Sequence, residues 1–311
     1  MSNKIMLPSP IFQTDKGKLY KGDCLKNMPT LPSESIDCFF ADPPFNLNKS
    51  YGSSVNDNLA EGKYLQWCYD WIDEGIRLLK PGGSFFLYNL PKWNIPLSNH
   101  IAKQLIFKNW IAIEIKFSLP IQGRLYPSHY SLLYYVKGKK PNTFNPPRVP
   151  LQICRHCGGE IKDYGGYKNK LNPKGINLSD VWSDIPPVRH KKYKNREANA
   201  LSLKLMDRIL DISTKEGDIV LDPFGGSGTT YIAAELKKRK WIGIELSTTD
   251  EIVNRFSNIA IEREYYDALQ ENKNVLFTKE ALKLRKKNGK HNGKYNIEHQ
   301  HEPTQEPLLD L

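Results

Sequence analysis

Long apolar runs are missing from this chain of 311 residues: the mean hydropathy is −0.55, and no stretch approaches the roughly 20 apolar residues of a membrane-spanning helix. A secretory leader is not expected either, because Met1-Ser2-Asn3-Lys4 lacks a basic segment followed by an apolar one. Cysteine is sparse. The five present, Cys24, Cys38, Cys68, Cys154 and Cys157, are odd in number and scattered, which excludes a secreted disulfide framework and favours a reducing cytoplasm. Acidic residues are outnumbered, 34 Asp and Glu against 45 Lys and Arg, leaving a formal charge of +11. That balance disfavours a generic acidic enzyme and favours an anionic macromolecular partner.

The positive charge is concentrated. Residues 137–196 hold fourteen Lys or Arg against four acids, Glu160, Asp163, Asp180 and Asp184, so this segment carries nearly the whole net charge. It also holds six Gly and seven Pro, with Phe144, Tyr164, Tyr167, Trp182 and Tyr193 interleaved, and has no sustained helical or alternating period. We read it as an irregular insert that tracks phosphates, with Lys191, Lys192, Lys194 and Arg196 as the candidate DNA-binding cluster. Beyond Lys283 the basic, then Glu- and Gln-rich sequence reads as a disordered tail.

On either side of the insert, strand and helix patterns alternate. Expected strands are 36–41, 83–88, 110–117 and 130–136 before it, and 218–221 and 241–245 after it; expected helices are 64–80, 200–212 and 229–236. This alternation predicts a doubly wound, mostly parallel α/β sheet of Rossmann-like type, with ligands outside the carboxyl ends of the strands. The expected organisation is a catalytic half (1–136), the insert (137–196), a cofactor-binding half of the same domain (197–282) and the tail (283–311).

Two strand ends carry chemistry. Asp222-Pro223-Phe224-Gly225-Gly226-Ser227-Gly228-Thr229-Thr230 stands where a strand hands over to a helix, a place where glycines permit close backbone approach and helix N–H groups are open. A phosphate P-loop needs a Lys that is absent here, and a dinucleotide fingerprint needs a third glycine where Tyr231 stands. Glu245 ends the next strand, where a carboxylate accepts both hydroxyls of a ribose. A ribose without a pyrophosphate points to S-adenosylmethionine rather than NAD. Asp42-Pro43-Pro44-Phe45-Asn46 follows the other central strand. Its prolines stiffen a turn that holds a carboxylate and nearby carbonyls as acceptors for a base amine, with Phe45 available to stack.

Together these motifs resemble the β-class DNA amino-methyltransferases, in which an Asp-Pro-Pro-aromatic motif precedes the DNA-recognition insert and the cofactor loop comes last; the likeness extends over residues 17–260. The resemblance implies the circularly permuted methyltransferase fold, S-adenosylmethionine as cofactor, and catalytic roles for Asp42, Pro43, Pro44 and Phe45. It implies cofactor binding by Asp222, Phe224, Gly225, Gly226, Ser227, Gly228, Thr229 and Glu245, and by Asp23 and Cys24 in Lys21-Gly22-Asp23-Cys24-Leu25. Where the family usually opens a helix with Lys-Pro, this chain has Leu201-Ser202. Asp as the first motif residue resembles the N6-adenine branch more than the N4-cytosine branch. Cytosine C5 chemistry needs a nucleophilic Cys, usually after a Pro, and no cysteine here follows a proline. The expected activity is site-specific methylation of adenine N6 in double-stranded DNA, with base flipping, in a restriction-modification setting that allows a cognate restriction endonuclease and a homodimer as partners. An NAD-dependent oxidoreductase and a non-enzymatic DNA-binding protein are the alternatives; the first leaves Asp42 to Phe45 unexplained and the second predicts no nucleoside pocket. Cys154 and Cys157 have the spacing of half a zinc site, but the insert holds no second Cys pair, and the default is two free thiols.

Overall fold

The computed structural model of the protein describes residues 9–47, 57–115, 122–123, 125–149, 153, 158–160, 162–163, 165–167, 170–172, 175–185, 201–271, 283 and 287. In chain order the elements are β1 (Phe12–Gln13), β2 (Gly17–Lys21), α1 (Cys24–Asn27), a 3₁₀ turn (Met28–Thr30), β3 (Ile36–Ala41), α2 (Glu61–Leu78), β4 (Leu79–Asn89), α3 (Pro91–Ile101), β5 (Ile106–Glu114), β6 (His129–Val136), β7 (Arg148–Val149), β8 (Ile176–Asn177), β9 (Val181–Trp182), α4 (Leu203–Ser213), β10 (Ile219–Asp222), α5 (Thr229–Leu236), β11 (Lys240–Glu245), α6 (Asp250–Ser257) and α7 (Ile259–Glu271). The chain divides into two compact units, residues 1–147 with 178–273 and residues 148–177 with 274–311.

In the first unit nine strands form one sheet, ordered β1-β2-β11-β10-β3-β4-β6-β5-β9. The stretch from β2 to β4 is parallel throughout, whereas β6 runs antiparallel to both β4 and β5. The fold is the mostly parallel, two-faced sheet that the alternation implied. Its central strands read as continuous apolar runs because both faces are covered: along β3, Cys38 and Phe40 belong to one core with Met206, Ile209 and Trp241, while Phe39 and Ala41 belong to the other with Trp71, Ile72 and Leu97. Strand β4 alternates in the same way, Phe86 and Tyr88 on one side and Phe85 and Leu87 on the other.

The permuted order has one decisive consequence. Strands β3 and β10, from opposite halves of the chain, lie side by side and parallel with Val220 opposite Cys38 and Leu221 opposite Phe39. Asp42 and Asp222 therefore emerge at the same end of the sheet.

Some expected boundaries move, each for a local reason. The expected helix 64–80 begins earlier and ends at Leu78, because Lys80 precedes Pro81 and a residue before proline is pushed into extended backbone, here the start of β4. The helix expected at 200–212 starts at Leu203 with Ser202 as N-cap. The strand expected at 110–117 runs instead over Ile106–Glu114, and residues 116 and 117 lie outside the described residues. Helix α3 carries Pro91 at its first turn and Pro96 inside, which conceals its pattern in the sequence. Within 137–196, Val181–Trp182 joins the main sheet beside β5, and Asp184 anchors the returning chain. It takes a fork of bonds from Arg208 (2.9 and 2.7 Å) and an ion pair from Lys204 (3.0 Å). Burial alone would raise the Asp184 carboxyl, but these cations hold it below its ordinary value. In the second unit, β7 and β8 pair antiparallel.

Candidate active site

The turn after β3 is pinned residue by residue. Tyr64 on α2 donates its hydroxyl to the Pro44 carbonyl at 2.7 Å, and Trp93 on α3 donates Nε1–H to the Phe45 carbonyl at 2.7 Å. The N–H groups of Asn46 and Leu47 donate to the two Asp57 carboxylate oxygens at 2.7 and 3.0 Å. Asn46 has φ +54°, a left-handed conformation that an Asn tolerates, and its side chain bonds Leu59 in both directions, Nδ2 to the carbonyl at 2.8 Å and Oδ1 from the N–H at 2.7 Å. Among the described residues no donor bonds the Asp42 carboxylate or the Pro43 carbonyl. These two acceptors are what the turn presents. Beside them three rings pack together: Phe45 lies 6.1 Å from Tyr88 and 5.7 Å from Tyr130, which are 5.3 Å from one another.

The loop after β10 is held equally firmly, from behind. A Cβ at Gly225 would come 2.6 Å from the Tyr231 hydroxyl, which donates to the Asp222 carbonyl at 2.9 Å. Gly228 has φ +77°, and a Cβ there would come 2.9 Å from Ile252 of α6. Interior packing and positive φ thus demand these two glycines, in addition to any need for close approach by a ligand. Glu245 accepts from the Gly226 N–H at 2.6 Å with one oxygen and from the Ser247 N–H at 2.8 Å with the other. Arg255 of α6 donates to the Ser227 carbonyl at 2.8 Å and to Thr229 Oγ1 at 3.0 Å. Its other nitrogens are forked onto Glu262 of α7 at 2.6 and 2.9 Å.

The electrostatics of the two strand ends are joined. Burial, reinforced by the charge of Asp222, pushes the Asp42 carboxyl well above its ordinary value. Asp222 is itself pushed up to about 7, mainly by burial and also by Glu245, despite the bond from the Phe224 N–H at 2.9 Å. Tyr88 is raised by burial and then by Asp42 and Tyr130. Neither Asp42 nor Asp222 has an ion-pair partner among the described residues, so the site fits a ligand that brings positive charge.

A test of this electrostatics follows from its sign. An unfolded Asp titrates near ~3.9, whereas folded Asp222 titrates at about 7. Folding therefore favours the protonated form, and the associated stability is intact below pH ~4 and lost as pH rises through about 7. Asp222→Asn keeps an acceptor for the Phe224 N–H and removes the charge. Its ligand-free Tm is expected to exceed that of the parent by roughly 2 °C or more at pH 8, with the gap closing toward pH 5; thermal melts across that range check it, and a pH-independent gap would refute the assignment.

The remaining expected site residues are placed as follows. Asp23 is the N-cap of α1 and accepts from the Leu25 N–H at 2.9 Å, and the adjacent Gly22 N–H donates to the Glu245 carbonyl at 2.9 Å, bringing this turn to the glycine loop. Cys24 is buried in the core with Tyr20, Met28 and Leu31, its thiol pushed up to about 12 by burial and by Asp23; the sulfur is a packing group. Phe224 packs edge-on against Trp67 and Trp71 at 5.7 and 5.1 Å. Thr229 Oγ1 is 3.4 Å from the Leu201 carbonyl, and Ser202 Oγ is buried with no bond partner among the described residues. Lys191, Lys192, Lys194, Arg196, Cys154 and Cys157 lie outside the described residues, as does all of the tail but Lys283 and Lys287. Among the described residues no cluster of metal-ligating side chains occurs. Tyr64, Trp93, Asp57, Tyr88, Tyr130 and Arg255 were not anticipated. Tyr64, Tyr88 and Tyr130 carry only helical or strand spacing as a signal, and Asp57, in a loop, carries none; spacing does not reveal partners far along the chain.

Comparison with known proteins bears on the family and the fold. A family model described as DNA methylase, of N6/N4 type, matches residues 36–256. The type II methyltransferase M.BamHI of Bacillus amyloliquefaciens is 58% identical over 287 residues, covering 92% of this chain and 68% of that protein. Among solved structures, the cytosine-N4-specific PvuII DNA methyltransferase superposes with a TM-score of 0.55 at 19% identity, covering 81% of this chain and 95% of that one. The M1.HpyAVI–SAM complex gives 0.53 at 22% identity, covering 77% and 98%.

Proposed function

The chain belongs to the N6/N4 family of DNA methylases, and from that premise we propose that it methylates the exocyclic amine of a base flipped out of duplex DNA, as the modification enzyme of a restriction-modification system. The observation that carries this reading is the pair of open acceptors, the Asp42 carboxylate and the Pro43 carbonyl, in a turn whose next two carbonyls are already engaged. An aromatic amine is a weak nucleophile because its lone pair is delocalised into the ring. Two acceptors aimed at its two N–H bonds favour the pyramidal nitrogen of the transition state and lower the barrier selectively. Asp42, a carboxylate of raised basicity, is placed to take the N–H proton as the nitrogen gains its new bond. Phe45, Tyr88 and Tyr130 form the apolar wall against which the base stacks.

S-adenosylmethionine supplies an electrophilic methyl on a sulfonium. The residues that would hold it are Glu245 at the ribose, Phe224 and Asp23 at the adenine end, and the loop from Asp222 to Thr229. The partly buried Asp42 and the buried Asp222 suit its positive charge. NAD suits the same loop less well, because Tyr231 stands where the third glycine would be.

Adenine N6 is the target that Asp at position 42 favours. Cytosine N4 is a second reading, since it presents the same amine beside a ring nitrogen and makes the same demand on Asp42 and Pro43. Incubation of the protein with duplex DNA and methyl-labelled S-adenosylmethionine tests the activity: label in the DNA supports it, and none overturns it.

DNA positioning is assigned to the basic insert. If Lys191, Lys192 and Lys194 each neutralise a phosphate, their joint replacement by Ala makes the log-affinity against log-salt slope shallower by up to about 2.7, at about 0.9 per contact. Binding isotherms between low and moderate salt measure this. An unchanged slope in the folded triple variant would move the DNA surface elsewhere, most plainly to the basic stretch after Lys283.

A further inference from the structure

We propose that Tyr64 and Trp93 are positioning residues for methyl transfer, which orient the Pro43 carbonyl and Phe45 without touching the substrate. This rests on the amine-methylation reading and adds residues to it. Both side chains are almost completely buried, 1% and 2% exposed, and their rings pack 4.6 Å apart. Asn89, fully buried at the end of β4, donates Nδ2–H to the Tyr64 hydroxyl at 3.2 Å and accepts from the Leu90 N–H at 2.7 Å. The Tyr64 hydroxyl is therefore fixed as a donor toward Pro44.

The geometry of two consecutive prolines makes that bond consequential. The direction of the Pro43 carbonyl relative to the Pro44 carbonyl depends on two torsions, φ and ψ of residue 44. The pyrrolidine ring locks φ. Only ψ remains, and the bond from Tyr64 to the Pro44 oxygen, 2.7 Å from a helix that is itself packed in the core, removes it. Trp93 does the same one residue on, where holding the Phe45 carbonyl sets the ring that faces Tyr88 and Tyr130. Without these donors the buried Phe45 carbonyl and the part-buried Pro44 carbonyl lose their partners and the acceptor pair is no longer preorganised.

The test is Tyr64→Phe, which keeps the ring and removes only the hydroxyl, with Trp93→Phe as a second variant. The full-length proteins are compared with the parent in one single-turnover assay with duplex DNA and saturating S-adenosylmethionine. The expected result for each is a rate constant on the order of 10- to 100-fold lower, with Kd for S-adenosylmethionine within about twofold of the parent, an unchanged binding stoichiometry and KM for DNA little altered. A general structural role would instead reduce stoichiometry or weaken cofactor binding. A Tyr64→Phe rate within twofold of the parent, or a loss traceable to cofactor affinity or an inactive fraction, overturns the proposal. Absence of transfer by the parent overturns the amine-methylation reading itself, so the two failures are distinguishable.

Discussion

Replacing Asp42 by Ala is expected to slow methyl transfer by ~10²-fold or more, the usual cost of removing one preorganised polar group from a transition state, while cofactor affinity changes little. The carboxylate bonds no other group among the described residues, so its loss disturbs no internal partner. The surrounding turn keeps its bonds to Tyr64, Trp93 and Asp57. Removing Asp42 also relieves its repulsion with Asp222, so the variant folds at least as readily as the parent above neutral pH. Asp42→Asn retains a neutral acceptor and is expected to fall between the two. Single-turnover rates, with titration calorimetry for the cofactor, separate the effects; near-parental turnover in the Ala variant would remove Asp42 from the chemistry.

Glu245→Ala is expected to act on binding instead. In the proposed function its carboxylate holds the ribose hydroxyls, and in the structure it receives the N–H groups of Gly226 and Ser247. Loss of charged hydrogen bonds to the ribose alone costs roughly 1.5–3 kcal/mol, or about 10- to 150-fold in affinity. Release of the Gly226 N–H loosens the loop as well, which places the result toward the upper end. Arg255, Tyr231 and Ile252 still support the loop from behind, so the variant should remain folded and reach a near-parental rate at saturating cofactor. Unchanged affinity would reduce Glu245 to a brace for the loop.

What the sequence disclosed and what it concealed divide along physical lines. Strand β3 and its turn were legible because an apolar run ends abruptly at two prolines. The loop from Asp222 to Thr229 was legible because its glycines and flanking periods are local signals. Glu245 followed from its place at the next strand end. The groups that make the turn rigid were not legible: Tyr64 reads as an ordinary helix position, Trp93 stands on a helix that Pro91 and Pro96 conceal, and their polar ends find carbonyls twenty and forty-eight residues away. Arg255 reaches back twenty-eight residues to Ser227 in the same way. Cys24 illustrates the opposite case, a position drawn in by its neighbours in a motif whose side chain serves the core. Interior packing also shares the glycine requirement at 225 and 228, through Tyr231 and Ile252.

The most direct measurement of the central claim is mass spectrometry of nucleosides from duplex DNA treated with the purified protein and S-adenosylmethionine. The account predicts a methyl group on an exocyclic amine, with N6-methyldeoxyadenosine as the product that Asp42 favours; N4-methyldeoxycytidine would keep the acceptor pair and change only the base. A methyl group on a ring carbon, as in 5-methyldeoxycytidine, or no methylated nucleoside at all, would contradict it.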